Sequence, residues 1–239
     1  FKRIDLKKKR GGVAKMKAMI LSAGIGSRMG YLTKNTPKPL LKIGNQTLLK
    51  IFLNKLIQAG ISQFLINVSY LGDQIIEFVS NKYKNSSNLE IQFSEEDQPL
   101  ETAGGIVNAL EFFDNDPFLV TNADIFTNFD YSLLVKHKLS DDVSAYLILV
   151  PNPEFKTVGD YGLEGNKLSF TKDFTYSGIG IYRKEMFQGF KKGEKIKLKS
   201  ILDDYILNKK IYGSLYHGYW SDIGTAERLE FENKKNDYK

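Results

Sequence analysis

Lys17-Ala18-Met19-Ile20-Leu21-Ser22-Ala23-Gly24-Ile25-Gly26-Ser27-Arg28-Met29 is the stretch on which the fold turns. A short apolar run stops at glycines, as a strand buried on both faces of a parallel sheet does. Glycines placed after such a strand let backbone N–H groups approach phosphate oxygens closely. Arg28 and Lys38, the latter inside Thr36-Pro37-Lys38-Pro39-Leu40, add fixed positive charge suited to a polyphosphate. The prolines on either side of Lys38 restrict its backbone. Gly24, Gly26 and Gly30 are spaced one residue away from the dinucleotide-binding fingerprint, and no G-K-[ST] sequence is present, so neither that motif nor a P-loop is read here.

Working outward, Leu48, Leu49, Phe52, Leu53, Leu56 and Ile57 predict a helix over 47–59, with Gly60 as its stop. Strands are predicted at 64–68, 89–93 and 118–121, and helices at 73–82 and 102–112. This alternation predicts an α/β fold, a doubly wound Rossmann-like sheet with helices on both faces. Strands at 146–150, 167–170 and 176–182, a helix at 198–207, a strand at 211–216 and a last helix after Gly224 extend it into a mixed sheet with a lid-like region. Ligands of such folds bind at the carboxyl ends of the strands. The glycine loop, residues 101–105 and Asp124 all fall there.

Composition narrows the classes. The chain has 239 residues, 42% hydrophobic and 26% charged, which fits a globular domain and excludes a disordered or collagen-like chain. The absence of cysteine removes disulfides, thiolate metal sites and cysteine nucleophiles, and fits a cytoplasmic location. His137 and His217 are the only histidines and are expected to be surface or structural residues. No apolar run approaches the roughly 18 residues of a membrane span, and the charged beginning does not read as a secretory signal. The net charge of +6 resides in residues 1–15, through Lys2, Arg3, Lys7, Lys8, Lys9, Arg10 and Lys15 against Asp5. Residues 16–239 are formally neutral, so no nucleic-acid partner and no membrane partner is expected. The expected organisation is a basic extension over 1–15 and one catalytic domain over 16–239.

The string L-x-A-G-x-G-S-R-M followed by T-P-K-P-L resembles the signature of the sugar-1-phosphate nucleotidyltransferases. Further matches follow in order at Glu101-Thr102-Ala103-Gly104-Gly105, Asn122-Ala123-Asp124, Ser177-Gly178-Ile179-Gly180 and Trp220-Ser221-Asp222-Ile223-Gly224-Thr225. The resemblance implies a GT-A-like fold and condensation of a nucleoside triphosphate with a sugar 1-phosphate. It implies that Ala23, Gly24, Gly26, Ser27, Arg28 and Lys38 face the triphosphate, with Arg28 and Lys38 catalytic. It also implies that Asp124 and Asp222 hold Mg2+, the hard cation that such chemistry uses.

Glu101, Thr102 and Gly104 match the family loop that faces base and ribose, where small residues admit a flat base. The same residues also read as a helix N-terminus capped by Thr102. Asn152, Asp160, Gly162, Ser177 and Gly178 match the sugar side, Asn152 reading equally well as a turn residue. Lys172 departs from the family's Glu-Lys-Pro and is not assigned there.

Within the family the chain is most similar to the short N-acetylmuramate-1-phosphate uridylyltransferases of cell-wall recycling. Mannose-1-phosphate guanylyltransferases more often have glycine where Glu101 stands, and the short stretch after Asp222 predicts no appended β-helix domain. UTP, N-acetylmuramate 1-phosphate and a monomer are the resulting expectations. Mannose-1-phosphate guanylyltransferase, glucose-1-phosphate thymidylyltransferase and, more weakly, choline-phosphate cytidylyltransferase are the alternatives. A NAD-dependent oxidoreductase would need an acid at the end of strand two, which instead ends Asn67-Val68-Ser69-Tyr70. A non-catalytic nucleotide- or RNA-binding protein would not need Lys38, Asp124 and Asp222 together.

Overall fold

Ala18 and Ile20 point to one face of a central sheet and Met19 to the other, all fully buried. Burial on both sides is why β1 (Ala18–Leu21) reads as an unbroken apolar run. The computed structural model describes residues 2–3 and 16–237. Beside β1 lie β2 (Gln63–Val68), β3 (Glu90–Glu95) and β4 (Phe118–Asn122), all parallel to it, in the order β3-β2-β1-β4. Lys2–Arg3 pair antiparallel with Gln92 and Phe93 at the outer edge of β3. The remainder of the expected extension over 1–15 lies outside the described residues.

Helices cover both faces, as the alternation predicts. α1 (Leu48–Gln58) and α2 (Gly72–Tyr83) pack on the Ile20 face through Leu49, Phe52, Leu53, Leu56, Ile75 and Val79. α3 (Glu101–Asn108) and, much later, α5 (Leu198–Leu207) pack on the Met19 face through Ile106, Val107, Ile201 and Leu202. Each such buried side chain contributes roughly 1.5–3 kcal/mol. Thr47 caps α1 by accepting a hydrogen bond from the Lys50 N–H at 3.2 Å.

Past β4 the chain makes β5 (Ile125–Thr127), the short α4 (Ser132–Lys136), β6 (Ala145–Pro151), β7 (Tyr161–Glu164) and β8 (Lys167–Tyr182). The end of β8 inserts antiparallel between β4 and β6, and β9 (Ile211–Leu215) lies parallel to β6 at the far edge. The expectation of separate strands at 167–170 and 176–182 is corrected here to one 16-residue strand. Polar Thr171-Lys172-Asp173 breaks the apolar signal and falls at a register shift opposite Tyr161 and Gly162, but the strand runs through it, with the Gly159 N–H donating to Lys172 O at 3.0 Å and Asp160 N–H to Phe174 O at 2.7 Å. Ile125–Thr127, which no sequence pattern marked, pairs antiparallel with β10 (Trp220–Asp222). Asp222 therefore lies within a strand rather than after it. The closing helix α6 (Ala226–Asp237) packs Leu229 with Met29, Leu41 and Ile43.

A bulge in β8 places Gly178 at φ 77, in the left-handed region, opposite the end of β4. A Cβ there would sit 2.7 Å from Asn122 Nδ2 and 2.8 Å from Ile125 Cδ1. Gly178→Ala is expected to lower stability by at least about 2 kcal/mol, the sum of backbone strain and overpacking. Urea denaturation checks this; an unchanged midpoint would show that the bulge relaxes freely.

Candidate active site

A cavity of about 260 Å³ opens at the carboxyl ends of β1 and β4, the place the sheet topology designates. Ser22, Gly24, Gly26, Ser27, Arg28, Lys38, Asp124 and Gly224 line it. Ala23, also in this loop, is buried beneath it. Gly26 has φ 70, and a Cβ on it would lie 3.3 Å from Lys38 Cβ, so glycine serves both the turn and the approach of Lys38. The Gly26 carbonyl accepts from Met29 N–H at 2.8 Å and from the Thr33 hydroxyl at 3.0 Å, winding residues 27–33 into 3-10 turns. Exposed Arg28 has no ion-pair partner among the described residues.

Lys38 sits at the start of a short 3-10 turn, Lys38–Leu40, and is only 9% exposed. Pro37 is extended at φ −65, ψ 142, and Pro39 fills the second position of the turn. The Lys38 ammonium donates to Asp124 Oδ2, so a buried cation is neutralised by a carboxylate at the head of β5. Asp222 is brought to the same place by the β5–β10 ribbon, and the Ile223 N–H donates to the Asp124 carbonyl at 2.9 Å. Its Oδ2 accepts from Arg228 Nη1 at 3.2 Å, while its Oδ1 is buried with no hydrogen-bond partner among the described residues. Such an orphaned oxygen calls for an explanation.

Two residues that sequence reading did not assign hold the glycine loop. Asn67 Oδ1 accepts from Ser22 N–H at 2.7 Å, and Asn67 Nδ2 donates to Glu96 Oε1 at 2.7 Å. Glu96 Oε2 accepts from Leu100 N–H at 3.0 Å. One buried chain of bonds thus joins the loop after β1 to the start of α3. Burial pushes the Glu96 carboxyl pKa up, against the lowering effect of these two bonds. The available signal was polar Asn67 at the end of an apolar strand and an acid just past the next one.

The expectation that Thr102 caps α3 is corrected. Leu100 holds the cap position without a side-chain bond, and the N–H groups of Ala103 and Gly104 both donate to the Ile196 carbonyl at 3.1 Å. The space beside Gly104 is filled by the Glu194 carbonyl and Leu100 Cβ, so this glycine serves packing within the protein. Glu101 is exposed at φ 63, a conformation glycine adopts without cost.

Of the sugar-side candidates, Asn152 and Asp160 lie in the loop between β6 and β7, Gly162 on β7, and Ser177 and Gly178 on β8. Asn152 Oδ1 accepts from the Thr175 hydroxyl at 2.8 Å. Asp160 Oδ2 takes Lys156 Nζ at 2.6 Å and Tyr176 N–H at 2.9 Å. A Cβ on Gly162 would meet Asp173 Oδ2 at 2.6 Å. The buried Ser177 hydroxyl donates to Ile148 O at 2.7 Å, and Trp220 Nε1 donates to Ser177 O at 3.0 Å, tying this group to β10 and hence to Asp222. Neither histidine lines the cavity; His137 lies against Tyr146, its pKa pushed down by burial.

A family model described as nucleotidyl transferase matches residues 17–237. The chain belongs to the nucleotidyl transferase family. Among curated relatives, it is 38% identical over 223 residues to an N-acetylmuramate alpha-1-phosphate uridylyltransferase of Neisseria meningitidis, covering 90% of this chain and 96% of the relative. A D-glycero-alpha-D-manno-heptose 1-phosphate guanylyltransferase of Campylobacter jejuni is 29% identical, over 89% and 96% of the two chains. Against the 27% identical mannose-1-phosphate guanyltransferase of Schizosaccharomyces pombe, 89% of this chain is matched but only 62% of that relative. The fold is shared with a Bacillus anthracis structure described as a glucose-1-phosphate thymidylyltransferase, with a TM-score of 0.79, 21% identity, and 92% and 94% of the chains covered. It is also shared with HddC of Yersinia pseudotuberculosis complexed with GMP-PN, with a TM-score of 0.72, 22% identity, and 92% and 99% covered. This nucleotidyl transferase is therefore an enzyme of the sugar-1-phosphate type, acting on a nucleoside triphosphate and a sugar 1-phosphate.

Both oxygens of Glu96 accept from N–H donors, and a glutamine amide would turn an NH2 toward one of them. Glu96→Gln is expected to cost about 1–3 kcal/mol in chemical denaturation. It should also raise the KM for the nucleoside triphosphate, because Ser22 and Leu100 lose their common anchor. Retained stability with an unchanged KM would show that the loop stands without it.

Proposed function

We propose that the chain condenses UTP with N-acetylmuramate 1-phosphate, releasing pyrophosphate, in cell-wall recycling. The observation that carries the site reading is the buried Lys38–Asp124 pair on the wall of the cavity, which Arg28 also lines without an ion-pair partner among the described residues. The choice of substrates is supported by the 38% identity to the Neisseria enzyme, matched over 96% of its length. Guanylyl transfer is the second reading, favoured by the heptose 1-phosphate guanylyltransferase relatives of similar length.

The carboxylates fit a hard divalent cation. Asp124 and Asp222 present oxygen donors from adjacent strands, and Asp222 Oδ1 is buried without a partner. No group of three or more acidic or histidine side chains occurs among the described residues, in keeping with an ion held by two carboxylates and completed by phosphate oxygens and water. Mg2+ bound there would offset charge at the α-phosphate.

The attacking phosphate oxygen of the sugar 1-phosphate is already ionised, so in-line displacement at the α-phosphorus requires no general base. The chain's own residues position and neutralise. Lys38 exchanges its bond to Asp124 for the α-phosphate oxygens, and Arg28 meets the outer phosphates. Ala23, Gly24, Gly26 and Ser27 present the backbone to the triphosphate, and Glu101 and Thr102 border the base, with Gly104 packed behind them against the Glu194 carbonyl. Asn152, Asp160, Gly162, Ser177 and Gly178 shape the sugar side through the bonds described above. We take the catalytic domain as residues 16–239, the active unit as a monomer and the location as the cytoplasm. No helix among the described residues is long and apolar enough to cross a membrane.

Lys38→Ala is expected to lower kcat by about 10²–10³-fold while leaving the KM for the sugar 1-phosphate nearly unchanged, read by pyrophosphate release. Asp124→Asn should be as damaging and should shift the Mg2+ dependence. Turnover unaffected by either substitution would reject the assignment.

A further inference from the structure

Arg228, on the first turn of α6, makes two side-chain contacts that none of the roles above uses. Its Nη1 donates to Asp222 Oδ2 at 3.2 Å. Its guanidinium lies over the ring of Phe155, with Cζ 4.1 Å from the centroid, well within cation–π range. Gly224 leaves room for the pair: a Cβ added there would collide with Arg228 Nη2 and lie 2.8 Å from Asp222 Oδ1. The Arg228 side chain is 17% exposed, whereas Phe155, in the loop between β6 and β7, is 58% exposed. A largely covered cation is thus wedged between an open loop and the carboxylate whose other oxygen is orphaned.

We propose that Arg228 is a positioning residue for the metal carboxylate. By occupying Oδ2 it fixes the rotation of Asp222, so that Oδ1 alone is left for the ion. The Phe155 ring holds the guanidinium flat and so links the loop over the sugar side to the same carboxylate. Gly224 provides the space in which the pair meets. Neighbours that orient a ligating carboxylate in this way commonly govern metal affinity by 10–100-fold.

The sign of the effect separates this role from simple charge. If Arg228 acted only as a nearby cation, removing it would tighten binding of a divalent ion by lifting like-charge repulsion. If it orients Asp222, removing it loosens binding. The proposal rests on the reading of Asp222 as a metal ligand.

The test is Mn2+ binding by the full chain in the presence of UTP, read from the electron paramagnetic resonance signal of free Mn2+. Thermal melting of each variant accompanies it. Arg228→Ala is expected to weaken Mn2+ binding about tenfold. Arg228→Lys, which keeps the charge but not the planar fork, should recover part of that loss and guards against a folding defect in the alanine variant. Phe155→Leu should weaken binding about threefold and raise the KM for the sugar 1-phosphate. Tightened or unchanged Mn2+ binding in folded Arg228→Ala, with Asp222→Asn weakened, would overturn the positioning role alone. Unchanged binding in Asp222→Asn would overturn the metal reading and this proposal with it. Phe155→Leu that shifts neither quantity would overturn the part assigned to the ring.

Discussion

The antiparallel pairing of Ile125–Thr127 with Trp220–Asp222 is the constraint on which the site depends. It joins the end of a central parallel strand to a segment that arrives only after the chain has built the far edge of the sheet. Two short strands and the Ile223 N–H to Asp124 carbonyl bond bring Asp222 beside Asp124, which lines the cavity together with Gly224. The indole of Trp220 then extends the same ribbon to the bulge at Ser177. The glycine loop and Asp124, the Asp222 carboxylate and the Ser177 bulge are therefore fixed relative to one another by backbone pairing rather than by long side chains.

Within that frame the charges are stored as ion pairs. Lys38 rests on Asp124 and Arg228 on Asp222, and neither cation is left buried and alone. Taking one partner from a buried pair is costly, so such charges await a ligand that supplies equivalent ones. On the reading proposed above, a triphosphate with its divalent cation would supply such charges to Lys38 and Asp124. The formally neutral domain can thus accept a highly anionic substrate without a broad basic surface.

Much of this was legible in the sequence because burial on both faces leaves an unmistakable pattern. The strands at β1, β2 and β4 and the helices α1, α2 and α5 fall where apolar spacing put them. The motif residues Gly26, Arg28, Lys38 and Asp124 converge on one cavity. Illegible were features whose cause lies in tertiary contact. Ile125–Thr127 is too short to show a period. Thr171–Asp173 is polar and bulged yet lies within one continuous strand. The start of α3 is capped by the distant Ile196 carbonyl, which displaced the local expectation for Thr102. Glu101 illustrates a middle case: it was legible as a motif residue, but its backbone at φ 63, a conformation glycine adopts without cost, was not.

The most direct test of the account is a matrix of the four nucleoside triphosphates against N-acetylmuramate 1-phosphate, N-acetylglucosamine 1-phosphate, mannose 1-phosphate and glucose 1-phosphate, followed by pyrophosphate release with Mg2+. The account predicts the highest kcat/KM for UTP with N-acetylmuramate 1-phosphate. A clear preference for GTP, or equal use of a sugar lacking the muramate carboxylate, would contradict it.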